Sequence, residues 1–201
     1  QKLALCEAAY REAGLPMVVR ITRFTQPAGL DGQLATLGLT TLDDTRVLVL
    51  PQLLPSAELP VLPTGLDWVP LGAQAYAETV GLLRGSAPEQ RTAHAQRLLL
   101  SPVPYRGFAL QRDGVVLACG QFAREAELVG LYDVFTADSA RGQGLATLLC
   151  RRLLVLAASE GAAVAYLQVE HDNLPARRIY ERRLGFRDGY RYHYRQLPAV
   201  D

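Results

Sequence analysis

The chain has 201 residues, 49% hydrophobic and 20% charged. That is an ordinary globular composition, long enough to bury a core without help from a metal or a disulfide. Its net charge of +1, from 21 basic and 20 acidic residues, lacks the basic excess that nucleic-acid and membrane partners usually demand, so neither is expected.

No run of about 18 apolar residues occurs, so no transmembrane helix is expected. No signal-peptide pattern opens the sequence. The first residue is not Met, and Gln1 to Ala13 already reads as a helix in progress, so a longer parent polypeptide is expected. That helix carries Leu3, Cys6, Ala9, Tyr10 and Ala13 at helical spacing and ends at Gly14 and Pro16. Met17 to Phe24 alternates and is rich in Val, Ile and Thr, which predicts a strand. Ala28 to Leu37 reads as a short helix closed by Gly38, and Thr45 to Leu50 as a second strand.

Pro51, Pro55, Pro60, Pro63 and Pro70 then exclude a long regular element and suggest a linker. Residues 1–70 are accordingly read as an N-terminal α/β lobe with this linker, and 71–201 as a second domain. Helical patterns cover 72–84 and 88–100, the latter opened by Ser86, Pro88 and Glu89. Gly107 to Gln111 and Val115 to Phe122 flank Asp113-Gly114, a type I′ hairpin signal. A strand over Leu128 to Thr136, a helix over Gly144 to Ser159 and a strand over Ala163 to Glu170 follow. A helix near 175–184 and an aromatic strand near 188–196 complete an α/β (α+β) pattern, a sheet with a helix on either side.

The segment Asp138 to Ala146 joins a strand to a helix through Gly142 and Gly144. Such a turn aims unpaired amides at one spot, where the helix dipole favours an anion. Glycines there admit a close ligand, and Arg141 adds a forked, permanent positive charge. A plain tight connection would need the same glycines. The segment lacks the Lys-Ser or Lys-Thr of a Walker A loop. It also lacks the third glycine of the dinucleotide fingerprint, whose place is taken by Thr147.

Arg141-Gly142-Gln143-Gly144-Leu145-Ala146 resembles the R/Q-x-x-G-x-G/A pyrophosphate signature of the GNAT N-acetyltransferases. Asn173, Ala176, Tyr180, Leu184, Gly185 and Phe186 resemble that family's N-x-x-A-x-x-x-Y-x-x-x-G-F stretch. The two blocks lie in the right order, and the likeness covers about residues 105–196. It implies a GNAT-type mixed, mainly antiparallel sheet flanked by helices, with the first lobe similar to a degenerate GNAT-like half. It also implies acetyl-CoA as cosubstrate, no metal, and a small-molecule or peptide amine as acceptor.

By this resemblance Val134, Phe135 and Thr136 would offer main-chain groups to pantetheine, and the loop over Arg141, Gly142, Gln143, Gly144, Leu145, Ala146 and Thr147 would hold the pyrophosphate. Asn173 could contact the pantetheine arm or simply cap its helix. Tyr180 matches the general acid that protonates the leaving thiolate, a task suited to a phenol, although a core tyrosine would occupy the same helix face. Many relatives place a Glu where this chain has Gln168, and an amide is no base. Glu170, Asp133 and Glu127 are the carboxylates left for that role, with His171 secondary.

His94 and His193 read as surface or satisfied residues. Arg177 and Arg178 read as a solvated face or a phosphate contact. Cys6, Cys119 and Cys150 read as buried free thiols of a reducing compartment, which implies a cytoplasmic protein. A non-catalytic acyl-CoA-binding or sensing module is the competing reading. Acceptor identity and oligomeric state stay open, a homodimer included.

Overall fold

A computed structural model describes residues 2–53 and 58–197; Gln1, residues 54–57 with Pro55 of the proline-rich stretch, and residues 198–201 lie outside the described residues. The chain divides into two compact units. The first gathers residues 1–47, 169–174 and 188–201, and the second 48–168 and 175–187. The fold is mixed α/β, with eight mostly antiparallel strands and helices among the described residues, as the sequence pattern predicts.

The first unit contains α1 (Lys2–Glu12), β1 (Val18–Thr22), α2 (Leu30–Thr36), most of β2 (Thr40–Leu50) and most of β8 (Arg187–Gln196). β8 lies between β1 and β2, and β1 runs antiparallel to it from Val18 opposite Gln196 to Thr22 opposite Tyr192. Met17, Ile21, Leu34 and Leu39 form the buried core beneath α1 and α2, with Leu3 and Tyr10 packed against it. β2 starts five residues before the expected Thr45. Asp43 and Asp44 are poor strand formers, which hides this extension from propensity. Here Asp43 adopts φ 52° and Asp44 is tied by two hydrogen bonds from Arg191 (2.7 and 2.6 Å).

In the same unit Asp31 accepts from Arg195 Nε (2.7 Å) and pairs with His193 Nε2 (2.9 Å). These hydrogen bonds, Arg195 first, hold its carboxyl at about 2, down from 3.8. A depressed folded-state value contributes stability that is complete above the unfolded value and disappears as pH falls through the folded one. The stability difference between the wild type and Asp31→Asn, read from urea midpoints, should therefore be constant above about pH 5 and shrink between about pH 4 and pH 2. A difference that persists unchanged to pH 2 would refute the pairing.

The second unit holds β3 (Asp67–Leu71), α3 (Ala73–Arg84), α4 (Pro88–Leu100), β4 (Tyr105–Arg112), β5 (Val115–Glu125), β6 (Leu128–Thr136), α5 (Leu145–Ser159), β7 (Val164–Glu170, through Gln168) and α6 (Leu174–Arg178, from Pro175). Its strands follow the order β7-β6-β5-β4-β3. The β4–β5 hairpin turns on Asp113 (φ 51°) and Gly114 (φ 77°), the left-handed pair a type I′ turn needs. α3 and α4 cover one face of the sheet, where Tyr76, Ala77, Val80, Ala95 and Leu98 pack on Ala109 and Cys119. α5 covers the other face, with Leu149 and Leu153 against Gly120.

β3 falls at the end of the proline-rich stretch, and Pro70 sits within it opposite Phe108. As the terminal strand in the order, β3 needs no second ladder, so a missing N–H is tolerated there. Pro60 and Trp68 are pinned by one side chain: the Arg152 guanidinium donates to the Pro60 carbonyl and lies over the Trp68 ring at 4.9 Å.

Candidate active site

β6 carries the site because its pairing is interrupted on both sides. Toward β5 the register jumps from Gln121–Tyr132 to Cys119–Phe135, so Gly120 alone faces Asp133 and Val134. Asp133 takes φ 50° to form this bulge. An Asp tolerates that conformation better than most residues, and a bulge re-aims the side chains around it. Toward β7 the parallel ladder runs only from Leu128–Val164 to Leu131–Leu167. From Tyr132 onward the main chain of β6 therefore has no ladder partner on that side among the described residues. The half-buried Val134, Phe135 and Thr136 occupy this open edge.

The strand leads through a 3-10 turn (Asp138–Ala140) into the glycine loop and α5. Gly142 and Gly144 have φ 76° and 77°, and a Cβ on either would meet nothing within 4 Å. The loop from Arg141 to Gly144 is exposed, whereas Leu145 is buried and anchors the helix. The amides at the start of this fifteen-residue helix thus look onto open space, a geometry suited to phosphate oxygens. Arg141 pairs with Asp138 at 2.7 Å, both side chains mostly exposed. Such a surface pair contributes little and yields readily to a phosphate.

Asp133 sits in a cluster rather than alone. Gln121 Nε2 donates to its Oδ2 (2.8 Å), Arg84 pairs with its Oδ1 (3.0 Å), and His94 Nε2 lies 3.2 Å from Oδ2. The Tyr76 hydroxyl donates to its main-chain carbonyl (2.9 Å). A cavity of about 350 Å³ opens over this cluster, lined among others by Arg84, His94, Arg97, Tyr105, Gln121 and Asp133. Burial, reinforced by Arg97 and Arg84, lowers the His94 pKa below 6.5 against the opposing pull of Asp133. His94, expected to be a surface or satisfied residue, is paired with a carboxylate and also lines a cavity. Helical periodicity in a polar segment cannot reveal a partner that comes from β6.

Tyr180 belongs to a π-helical segment (Ile179–Arg183) that continues α6. The Leu184 amide donates to the Ile179 carbonyl (3.1 Å), an i→i−5 bond that side-chain spacing does not encode. Its ring meets Phe186 edge-on at 6.1 Å. Burial, with Cys150 nearby, pushes its phenol well above 10, so it stays protonated at neutral pH.

The other candidates separate. Gln168 and Glu170 are both exposed, as alternation along one strand face requires. Glu170 and Asn173 belong to the first unit, and the Asn173 amide donates to the Glu170 carbonyl (3.2 Å). Glu127 precedes β6 and lies on the order of 20 Å along the strand from Asp133, which removes it from the cluster. His171 Nδ1 accepts from Arg46 (3.2 Å), Arg177 pairs with Glu181 (3.0 Å) and His193 pairs with Asp31. Arg178 is exposed.

Cys119 and Cys150 are buried, their thiols raised by burial to about 11 and about 12, too high for nucleophiles at neutral pH. Cys6 is exposed, contrary to the expectation of burial, because α1 buries none of its residues fully. Among the described residues, no group of three or more His, Cys, Asp or Glu is arranged to hold a metal. None of the described helices is long and apolar enough to cross a membrane.

Comparison with curated proteins found no match. Among solved structures the chain is similar to a GCN5-related N-acetyltransferase from Kribbella flavida, with 23% identity over 98% of this chain and 74% of that one (TM-score 0.70). It is also similar to a tandem GNAT protein from the clavulanic acid biosynthesis pathway, with 18% identity over 99% and 70% (TM-score 0.75). A third likeness is to a GCN5-related N-acetyltransferase from Sphaerobacter thermophilus, with 20% identity over 96% and 65% (TM-score 0.69). At such identities these are likenesses of fold. The model of the Acetyltransferase (GNAT) family matches residues 76–186, more than half of the chain, from Tyr76 within α3 to Phe186. The chain therefore belongs to the GNAT family of acetyltransferases.

Proposed function

We propose that this protein transfers an acetyl group from acetyl-CoA to a primary amine. The observation that carries the reading is the unpaired edge of β6 running directly into an open glycine loop at the start of α5. The main chain of Val134, Phe135 and Thr136 would pair with the amide-bearing pantetheine arm. Amides from Arg141 to Thr147 would hold the pyrophosphate, with Gly142, Gln143, Gly144, Leu145 and Ala146 between them. Acetyl-CoA supplies the thioester; Tyr180 gives its proton to the departing thiolate. Asp133 is the candidate carboxylate that lines the cavity.

Under this reading residues 71–201 form the acetyltransferase domain and residues 1–70 a degenerate GNAT-like half. The tandem GNAT neighbour supports the idea of two GNAT-like halves, while the compact units join 169–174 and 188–201 to the first part of the chain. A cytoplasmic setting, where acetyl-CoA meets reduced thiols, fits the chemistry. Incubating the protein with acetyl-CoA and a panel of primary amines, and following free thiol, tests the proposal. Amine-dependent thiol release is expected; tight acetyl-CoA binding with no release on any amine would instead favour a sensing module.

A further inference from the structure

The cavity over Asp133 holds chemistry that acetyl-CoA binding does not use. Five elements contribute to it: Arg84 from α3, His94 and Arg97 from α4, Tyr105 from β4, Gln121 from β5, and Tyr132 and Asp133 from β6. Asp133 lies on the open edge just before Val134, so the cavity adjoins the strand segment on which the thioester would lie. The Asp133 carboxylate accepts from Arg84 and Gln121, which leaves it a poor base toward a third donor. It is well placed to fix an imidazole.

His94 Nε2 lies 3.2 Å from Asp133 Oδ2. The carboxylate beside Nε2, at ion-pair distance, favours a proton on that nitrogen and so leaves the lone pair to Nδ1. The side chain is 15% exposed, and no group among the described residues bonds Nδ1. The Gln121 amide is oriented by its own donation to Asp133, which leaves its buried Oε1 without a hydrogen-bond partner. Arg97, exposed at the rim and in no ion pair among the described residues, adds positive charge that disfavours protonation of His94.

We propose that this cavity receives the acceptor amine, that His94 is the catalytic base through Nδ1, and that Asp133 is its positioning residue. The inference rests on the acetyl-transfer reading and names its proton acceptor. The neutral amine attacks the thioester carbonyl, a C–N bond forms, and the proton of the resulting ammonium adduct passes to His94 Nδ1. The C–S bond breaks with its electron pair going to sulfur, which takes the Tyr180 proton. Solvent then removes the proton from His94 and returns one to Tyr180. The adduct is far more acidic than a free ammonium ion, so a weakly basic imidazole suffices.

The test has two readouts. In the whole ¹⁵N-labelled protein, His94 can be told from the other two histidines by its loss in His94→Gln. At pH 7.5 it should be neutral with the proton on Nε2, should titrate below pH 6.5, and should change tautomer balance in Asp133→Asn. With the best amine of the panel, kcat/KM should fall below an acid limb at that same pKa, because the base must be unprotonated. His94→Gln should abolish the limb and lower kcat/KM by about 100-fold or more, with acetyl-CoA affinity from calorimetry unchanged. Asp133→Asn should move the limb to lower pH, and Arg97→Gln to higher pH.

A protonated or Nδ1–H His94 at pH 7.5, or a limb at the His94 pKa that survives His94→Gln, would overturn the assignment while leaving acetyl transfer intact. Loss of acetyl-CoA binding in the wild type would instead sink the underlying reading.

Discussion

Gly144→Val should weaken acetyl-CoA binding by about 100-fold or more, roughly 2.7 kcal/mol, while the protein stays folded. At φ 77° a β-branched residue is strained by about 1–2 kcal/mol, and relief of that strain would turn the loop amides away from their common focus. Each charge-assisted hydrogen bond so lost is worth about 1.5–3 kcal/mol, so one or two account for the whole effect. The new side chain also enters the space a diphosphate would fill. Because nothing lies within 4 Å of the added Cβ, the core is not disturbed. Calorimetric titration with acetyl-CoA, beside an unchanged far-ultraviolet dichroism spectrum, checks the result. Retained affinity in a folded variant would show that the loop binds no phosphate.

Tyr180→Phe should lower kcat by about 10²- to 10⁴-fold and leave acetyl-CoA affinity nearly unchanged. The ring keeps its edge-on contact with Phe186 in either residue, so packing is conserved and only the hydroxyl is lost. The direction of its pKa shift bears on pH dependence as well. A phenol pushed above 10 by burial stays protonated over the whole neutral range. Tyr180 should therefore impose no alkaline limb on kcat below about pH 10. Steady-state rates across pH, paired with binding measurements, separate the two roles. Equal losses of turnover and affinity would make Tyr180 a packing residue.

Much of the scaffold was legible in the amino-acid order. Hairpin chemistry at Asp113-Gly114, the apolar stripe of α5 and the glycine loop are local signals, and the folded chain uses each as its local chemistry requires. β2's early start and β3 inside a proline-rich stretch were hidden, because their strand character comes from partners distant in sequence. The bulge at Asp133 is a property of register between two strands, and the π-turn at Tyr180 a property of hydrogen bonding; neither has a residue signature. His94 shows the same limit most clearly. Its meaning depends on Asp133, Arg84 and Gln121, each on a different element, and no spacing within α4 announces them.

The antiparallel partner of β1 is β8, separated from it by nearly the whole sequence. During synthesis the opening segment cannot complete its ladder until Arg187 to Gln196 has left the ribosome, whereas β4, β5 and β6 find one another within a few dozen residues. β1 must consequently wait unpaired while β4, β5 and β6 fold. Any stall or truncation before Arg187 strands that edge, an open invitation to aggregation rather than a smaller working enzyme.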